Sequence, residues 1–167
     1  MCRKYQKVGQ MEFGNKVDIS DPCYERDGES NVIDYGIESG TYGCYIKFGK
    51  EEYGEEYRIA EIAIIKKGYE NLCSDYGWIF VDIIGVDSGL CGFFNHKKEY
   101  SNSDWTDFCD RLEKANEKGG FEESGEYFIN FDNGFFSNTG WGDGSYETYK
   151  YTLEDKVVGL KVIFMED

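Results

Sequence analysis

The hydrophobic positions of this chain come in short runs cut by Gly, Asn and acidic residues, and only one stretch carries a helical period. Residues 13–19 read as a strand, which Asp18-Ile19-Ser20-Asp21-Pro22-Cys23 closes with turn chemistry. Residues 25–30 are acidic and contain a Gly, the pattern of a solvated loop. Residues 40–48 alternate, and residues 57–66 are rich in Ile with Arg58 and Glu61 as interior charges. The two predict a hairpin across the loop at 49–56. Residues 78–86 are almost continuously apolar around Asp82, which predicts a central strand covered on both faces. The tight Asp87-Ser88-Gly89 turn then leads into a strand at 89–94.

The helical stretch is 104–118. Trp105, Phe108, Cys109 and Leu112 follow the i, i+3, i+4, i+7 spacing of one apolar face. Asn102 or Ser103 can cap the first amides, Asp104 and Asp107 suit the positive end of the dipole, Lys114 and Lys118 the negative end, and Gly119 stops it. Beyond it, residues 126–131, 135–136, 145–152 and 156–164 have strand character between Gly, Asn and Asp turns. Strands flank a single helix without βαβ alternation, which predicts an α+β fold: mainly antiparallel β-sheet or sandwich with one amphipathic helix packed on it. No repeat or composition break divides residues 1–167, so one domain is expected.

Composition fits that outline. Fourteen Tyr, 12 Phe and 3 Trp supply large apolar areas for a core, and 21 Gly against a single Pro point to turns set by Gly. Charge narrows the function. With 33 Asp and Glu against 18 Lys and Arg, the net charge is -15, which opposes direct binding to nucleic acid or an anionic membrane and favours a basic protein partner. Six Cys are too sparse for a disulfide-stapled secreted scaffold, and the N-terminus lacks the apolar stretch of a secretory signal. A cytoplasmic protein with free thiols is expected.

Five segments together resemble a known family. Asp21-Pro22, Gly40-Thr41-Tyr42, Arg58-Ile59-Ala60-Glu61, Val86-Asp87-Ser88-Gly89 with Phe93 following, and Gly140-Trp141-Gly142-Asp143-Gly144-Ser145-Tyr146 occur in this order. They resemble the bacterial and phage family known as domain of unknown function 4241. The chain departs from that pattern in its Cys content and at Tyr149 to Tyr151, where a Trp-Gly pair is more usual. The resemblance implies a fold and supplies no catalytic residue.

Several groups of residues offer chemistry. His96 is the only histidine, so no mechanism with two imidazoles is open. Gly85-Val86-Asp87-Ser88-Gly89 puts Asp where a nucleophile elbow requires Ser. Zinc is a candidate cofactor through Cys91 and His96, close enough in sequence to chelate together, but no Cys-x-x-Cys pair is present. Asp21, Asp87 and Asp143 each stand in a tight bend, and folding could gather them round a hard cation to make a metal-dependent hydrolase or ligand-binding site. Asp at such bends also caps backbone amides with no metal involved. Gly140 to Gly144 lacks the Lys of a P-loop and reads as a structural turn.

Acidic clusters are the last feature: Glu51, Glu52, Glu55 and Glu56; Asp104, Asp107 and Asp110; Glu122, Glu123 and Glu126. On a rigid scaffold such carboxylates can imitate a phosphate backbone and occupy a basic groove. The expected function is therefore a non-catalytic acidic inhibitor from a phage or another mobile element, needing no cofactor. Its partner would be a basic nucleic-acid-binding protein such as a nuclease, and an anti-CRISPR block of DNA loading is one instance. A zinc-stabilised structural or regulatory module is a further alternative.

Overall fold

In a computed structural model, residues 5–23, 33–50, 57–71, 76–96, 102–117, 127–131 and 133–165 are described. Their elements in chain order are β1 (Gln6–Phe13), β2 (Lys16–Ser20), β3 (Ile33–Gly36), β4 (Gly40–Lys50), β5 (Tyr57–Lys66), β6 (Trp78–Val86), β7 (Leu90–Asn95), α1 (Asn102–Glu117), β8 (Tyr127–Phe131), β9 (Gly134–Asn138), β10 (Gly144–Leu153) and β11 (Lys156–Ile163). The strands form a six-stranded sheet, β1-β4-β5-β11-β10-β6, and a five-stranded sheet, β3-β2-β7-β9-β8. Every pairing is antiparallel.

One hydrophobic core lies between the sheets. Alternation along each strand sends Tyr42, Cys44 and Ile46, Ile62 and Ile64, Leu160 and Val162 inward from the first sheet, and Val17 and Ile19, Cys91 and Phe93, and Phe135 inward from the second. The expected mainly antiparallel sandwich with one helix is thus the observed fold. The 40–48 and 57–66 runs do form a hairpin, with Cys44 opposite Ile64 and Ile46 opposite Ile62.

Helix α1 covers the outer face of the second sheet. Phe108 is buried there with its ring 6.5 Å from that of Phe136, and Leu112 packs on the Leu90, Phe94 and Phe136 cluster. Cys109 is half-buried, and the Trp105 side chain lies outside the described residues. Gly134 stands opposite Phe94 and Gly92 opposite Phe136 across the β7–β9 pair, where no side chain would fit. A Cβ at Gly134 would come within 2.2 Å of the Phe94 ring, and one at Gly92 within 2.3 Å of the Phe136 Cβ.

Two expectations are corrected. The strand read at 13–19 is two strands in different sheets, broken at Gly14 and Asn15. Asn95 holds that corner: its Oδ1 accepts the Gly14 amide at 2.7 Å and its Nδ2 donates to the Glu12 carbonyl at 3.0 Å. The 78–86 run is not central either. β6 is an edge strand paired only with β10, and Ile79, Phe80 and Ile83 are 51%, 51% and 54% exposed. A continuous apolar run signals centrality in parallel sheets covered on both faces, and this sheet is antiparallel. Strands β1 and β3 escaped the sequence pattern, and the acidic 25–30 segment lies outside the described residues. Among the described residues no helix is long and apolar enough to cross a membrane.

Candidate functional site

The chain passes from the first sheet to the second after β6 and back again before β10, and both crossings meet at one corner of the sandwich. Asp21, just past the end of β2, ties the first. Its Oδ2 accepts the amides of Asp87 at 3.0 Å and Ser88 at 2.8 Å, while Oδ1 accepts the Cys23 amide at 2.8 Å and the Ser88 hydroxyl at 2.6 Å. Asp21 is fully buried, and these donors replace the water its carboxylate has lost. Gly89 completes the turn at φ +71°, where a side chain would be strained.

The second crossing bonds to the first. The Thr139 amide donates to the Gly89 carbonyl at 2.9 Å, and the Gly142 amide to the Thr139 carbonyl at 2.9 Å. The Tyr146 hydroxyl donates to the Gly142 carbonyl at 2.7 Å, and the Thr139 hydroxyl donates to that same carbonyl. Burial pushes the Tyr146 phenol above its ordinary pKa, which keeps it a donor. From β5, Arg58 Nη1 reaches the Gly140 carbonyl at 2.9 Å and the guanidinium lies 5.7 Å from the centre of the Trp141 ring. Gly140 to Gly144 is therefore a structural turn, as its sequence suggested. Residues 21, 58, 86–89 and 140–146, far apart in the chain, thus meet at one corner.

The three turn aspartates stand round this corner without converging. Asp21 spends its oxygens on the turn, and Asp87 and Asp143 are exposed, with Asp143 Oδ1 4.0 Å from where a Cβ on Gly89 would sit. Among the described residues no three His, Cys, Asp or Glu side chains gather closely enough to hold a metal ion. The two zinc candidates are separated by function as well as position. Cys91 faces the core, where burial and then the charge of Asp21 push its thiol far up, away from the thiolate a metal binds. His96 instead bonds through Nδ1 to Asp18 Oδ1 at 2.8 Å.

That Asp18–His96 pair was not legible in the sequence, which assigned Asp18 to a turn. It lies on β2 opposite Phe94, and Asp18 is buried. The His96 amide donates to the Lys16 carbonyl at 3.1 Å, so His96 sits beside residue 16, while the buried Ser20 pairs with Gly92. Asp18 therefore stands between His96 and Ser20 along β2, and the register separates that hydroxyl from the imidazole by four residues of strand, beyond the reach of a nucleophile–base contact. A second buried charge, Glu61 on β5, faces outward from the first sheet. Lys47 Nζ lies 2.7 Å and Lys161 Nζ 3.5 Å from its carboxylate, and the Tyr5 hydroxyl donates to it. Lys161 in turn lies 5.0 Å and 5.4 Å from the centres of the Trp78 and Tyr149 rings.

Of the acidic clusters, Asp104, Asp107 and Asp110 are exposed on α1. Glu51, Glu52, Glu55, Glu56, Glu122, Glu123 and Glu126 lie outside the described residues. The corner and the two ion clusters are tied by internal bonds, whereas α1 and β6 present unlike side chains outward: carboxylates on one, half-exposed apolar groups on the other. No family model, no curated protein and no solved structure matches this chain.

Proposed function

We propose that this chain is a non-catalytic acidic inhibitor that docks on a basic protein of the nucleic-acid-binding class and obstructs its groove. The observation that carries this reading is how the chain distributes its charge. Lys47 and Lys161 both lie against the carboxylate of Glu61, and Lys66 and Lys156 against that of Glu38. Those four cations are balanced by the carboxylates of Glu61 and Glu38 and of the buried Asp18 and Asp21, so the net charge of -15 is carried by the remaining residues. Asp104, Asp107 and Asp110 on α1 belong to that remainder and step along the helix by about 4.5 Å, of the order of the ~3.4 Å axial spacing of phosphates on one DNA strand. Such attraction steers encounter and weakens with salt, since it is screened beyond about 8 Å at physiological ionic strength.

Capture with tagged protein from a nuclease-treated bacterial lysate tests the reading. A recovered basic nucleic-acid enzyme that is released by added DNA and by raised salt supports it. A partner that resists both, or only acidic partners, overturns it. Blocking DNA loading onto an RNA-guided nuclease is the narrower form, tested by DNA-binding assays with the recovered enzyme.

A further inference from the structure

β6 bonds to β10 on one side and ends the sheet on the other. Along their ladder Phe80 stands opposite Tyr149, Ile83 opposite Glu147 and Val86 opposite Gly144, with Asp87 and Asp143 immediately beyond. Tyr149 and Glu147 face outward, since Thr148 between them is buried and the Tyr149 hydroxyl bonds Glu147. The Phe80 ring packs edge-on against Tyr149 with centroids 5.9 Å apart, and so shares that outer face. Phe80 and Ile83 thus leave half of two large apolar side chains in water, side by side on the outer face of the sheet. A rimmed apolar patch of this kind marks an interaction site more often than scattered apolar residues do.

Among the described residues the exposed charges of the rim have one sign. Glu147, Asp87 and Asp143 are exposed, as is Asp82 at the sheet edge. Lys161 stands on the same face beside Tyr149, but its side chain is 11% exposed and its ammonium lies 3.5 Å from the Glu61 carboxylate and over the Trp78 and Tyr149 rings, while Lys150 lies 5.5 Å from the centre of the Tyr35 ring, on the side facing the second sheet. A second copy would set carboxylate against carboxylate at -15 per chain, whereas a basic partner is complementary.

The backbone of the edge is already closed at its middle. The register with β10 shifts between Thr148 and Tyr149, which leaves Val81 unpaired as a bulge. On the β10 side the Thr148 hydroxyl donates to the Asp82 carbonyl at 2.8 Å, which turns the Ile83 amide towards the free edge, where Asp82 Oδ1 accepts it at 2.8 Å. Bulges and charged side chains at an edge discourage strand addition. What remains available is the side-chain surface.

We propose that the outer face of the β6–β10 ladder is the docking surface for the basic partner. The partner seats an apolar segment on Phe80 and Ile83 and sets flanking Lys or Arg residues against Glu147, Asp87 and Asp143. This rests on the acidic-inhibitor reading and assigns its contact to this face, on the opposite side of the sandwich from α1.

The test uses the full chain and two short synthetic peptides, one with an apolar centre flanked by Lys and Arg, the other with Glu in their place. Backbone amide spectra locate binding. The basic peptide is expected to shift the amides of Phe80, Ile83 and Glu147 and to bind about ten-fold more weakly to a Phe80→Ser/Ile83→Ser variant, whose exposed substitutions leave the fold intact. Equal binding of the acidic peptide overturns the proposal, as do shifts confined to Asp104, Asp107 and Asp110, absence of any shift, or a dimer that the double variant dissolves. Lysate capture separates the two readings. A basic partner still recovered by the double variant but lost by Asp104→Asn/Asp107→Asn/Asp110→Asn sinks this surface and leaves the acidic inhibitor standing.

Discussion

Asp21 holds Ser88 at both of its polar ends, accepting the amide at 2.8 Å on Oδ2 and the hydroxyl at 2.6 Å on Oδ1. Because the same carboxylate takes the Asp87 and Cys23 amides, its loss would strand several part-buried donors at once. Each donor left unsatisfied costs about 1–3 kcal/mol, with partial relief where water enters. Asp21→Ala is expected to lower stability by about 3 kcal/mol, read as a fall in the urea midpoint with an unchanged slope. Asp87→Asn and Asp143→Asn, at exposed positions, should stay within about 0.5 kcal/mol of the parent. Equal effects at all three would contradict the division between one structural and two surface aspartates.

Glu61 is the second internal tie, 6% exposed beneath the outer face of the first sheet. Replacing it by Ala leaves Lys47 and Lys161, each with a side chain 11% exposed, near one another without their carboxylate. The expected cost is about 3 kcal/mol, the range found when one member of a buried ion cluster is removed. Replacing all three charges, by Lys47→Met/Glu61→Leu/Lys161→Met, should recover most of that loss, because the unpaired charge rather than the missing attraction dominates it. Thermal melts of the single and triple variants decide between the two contributions.

How much of this was readable beforehand depends on the range of the interaction. The hairpin of β4 and β5 and the face of α1 that carries Phe108 and Leu112 follow from local alternation and helical period. The turn role open to Asp21 was also local, since Asp beside Pro caps amides wherever it occurs, although its partners lie 66 and 67 residues away. The place of β6 was not local. Its apolar run is as compatible with a central strand as with an edge, and only the pairing of β10 with β11 on its other side puts β6 outermost. Asp18 and His96, 78 residues apart, become partners only through the register of β2 with β7, which no pattern within either segment encodes.

The buried thiols give the fold an alkaline limit. Burial pushes the Cys44 thiol from 9.0 up to about 12, and Cys91 and the Tyr42 phenol are raised by the same cause. A raised pKa in the folded state means that the unfolded chain releases its proton first. Stability is therefore fully present below about pH 9 and is lost as pH rises from there towards 12. In that window each such thiol contributes a slope approaching about 1.4 kcal/mol per pH unit. Urea unfolding at pH 8 and at pH 10.5 is expected to show the drop, and Cys44→Ala should flatten it while Cys91 and Tyr42 sustain the remainder. Mass-mapped iodoacetamide labelling at pH 8 gives a second readout, with Cys44 and Cys91 modified only when urea is present.

The turn between β10 and β11 carries a cost that can be removed without touching any proposed surface. Leu153 pairs with Lys156, so the loop is two residues long, and both occupants have positive φ, 50° at Glu154 and 61° at Asp155. That backbone matches the right-handed twist of the flanking strands, which is why two-residue hairpins adopt it, but it suits Asn and Gly far better than Glu. A side chain in this left-handed region crowds its own carbonyl, and Glu lacks the short polar group with which Asn relieves the strain. Glu154→Asn/Asp155→Gly is expected to stabilise the fold by about 1 kcal/mol, since it relieves strain at two positions and loosens the unfolded chain only at the new Gly. The reverse substitution, Asp155→Val, places a β-branched residue at positive φ and should destabilise by at least as much. Matched urea titrations of the two variants measure both signs, and a loss of stability in the Asn-Gly variant would show that Glu154 or Asp155 makes a favourable contact that outweighs its backbone strain.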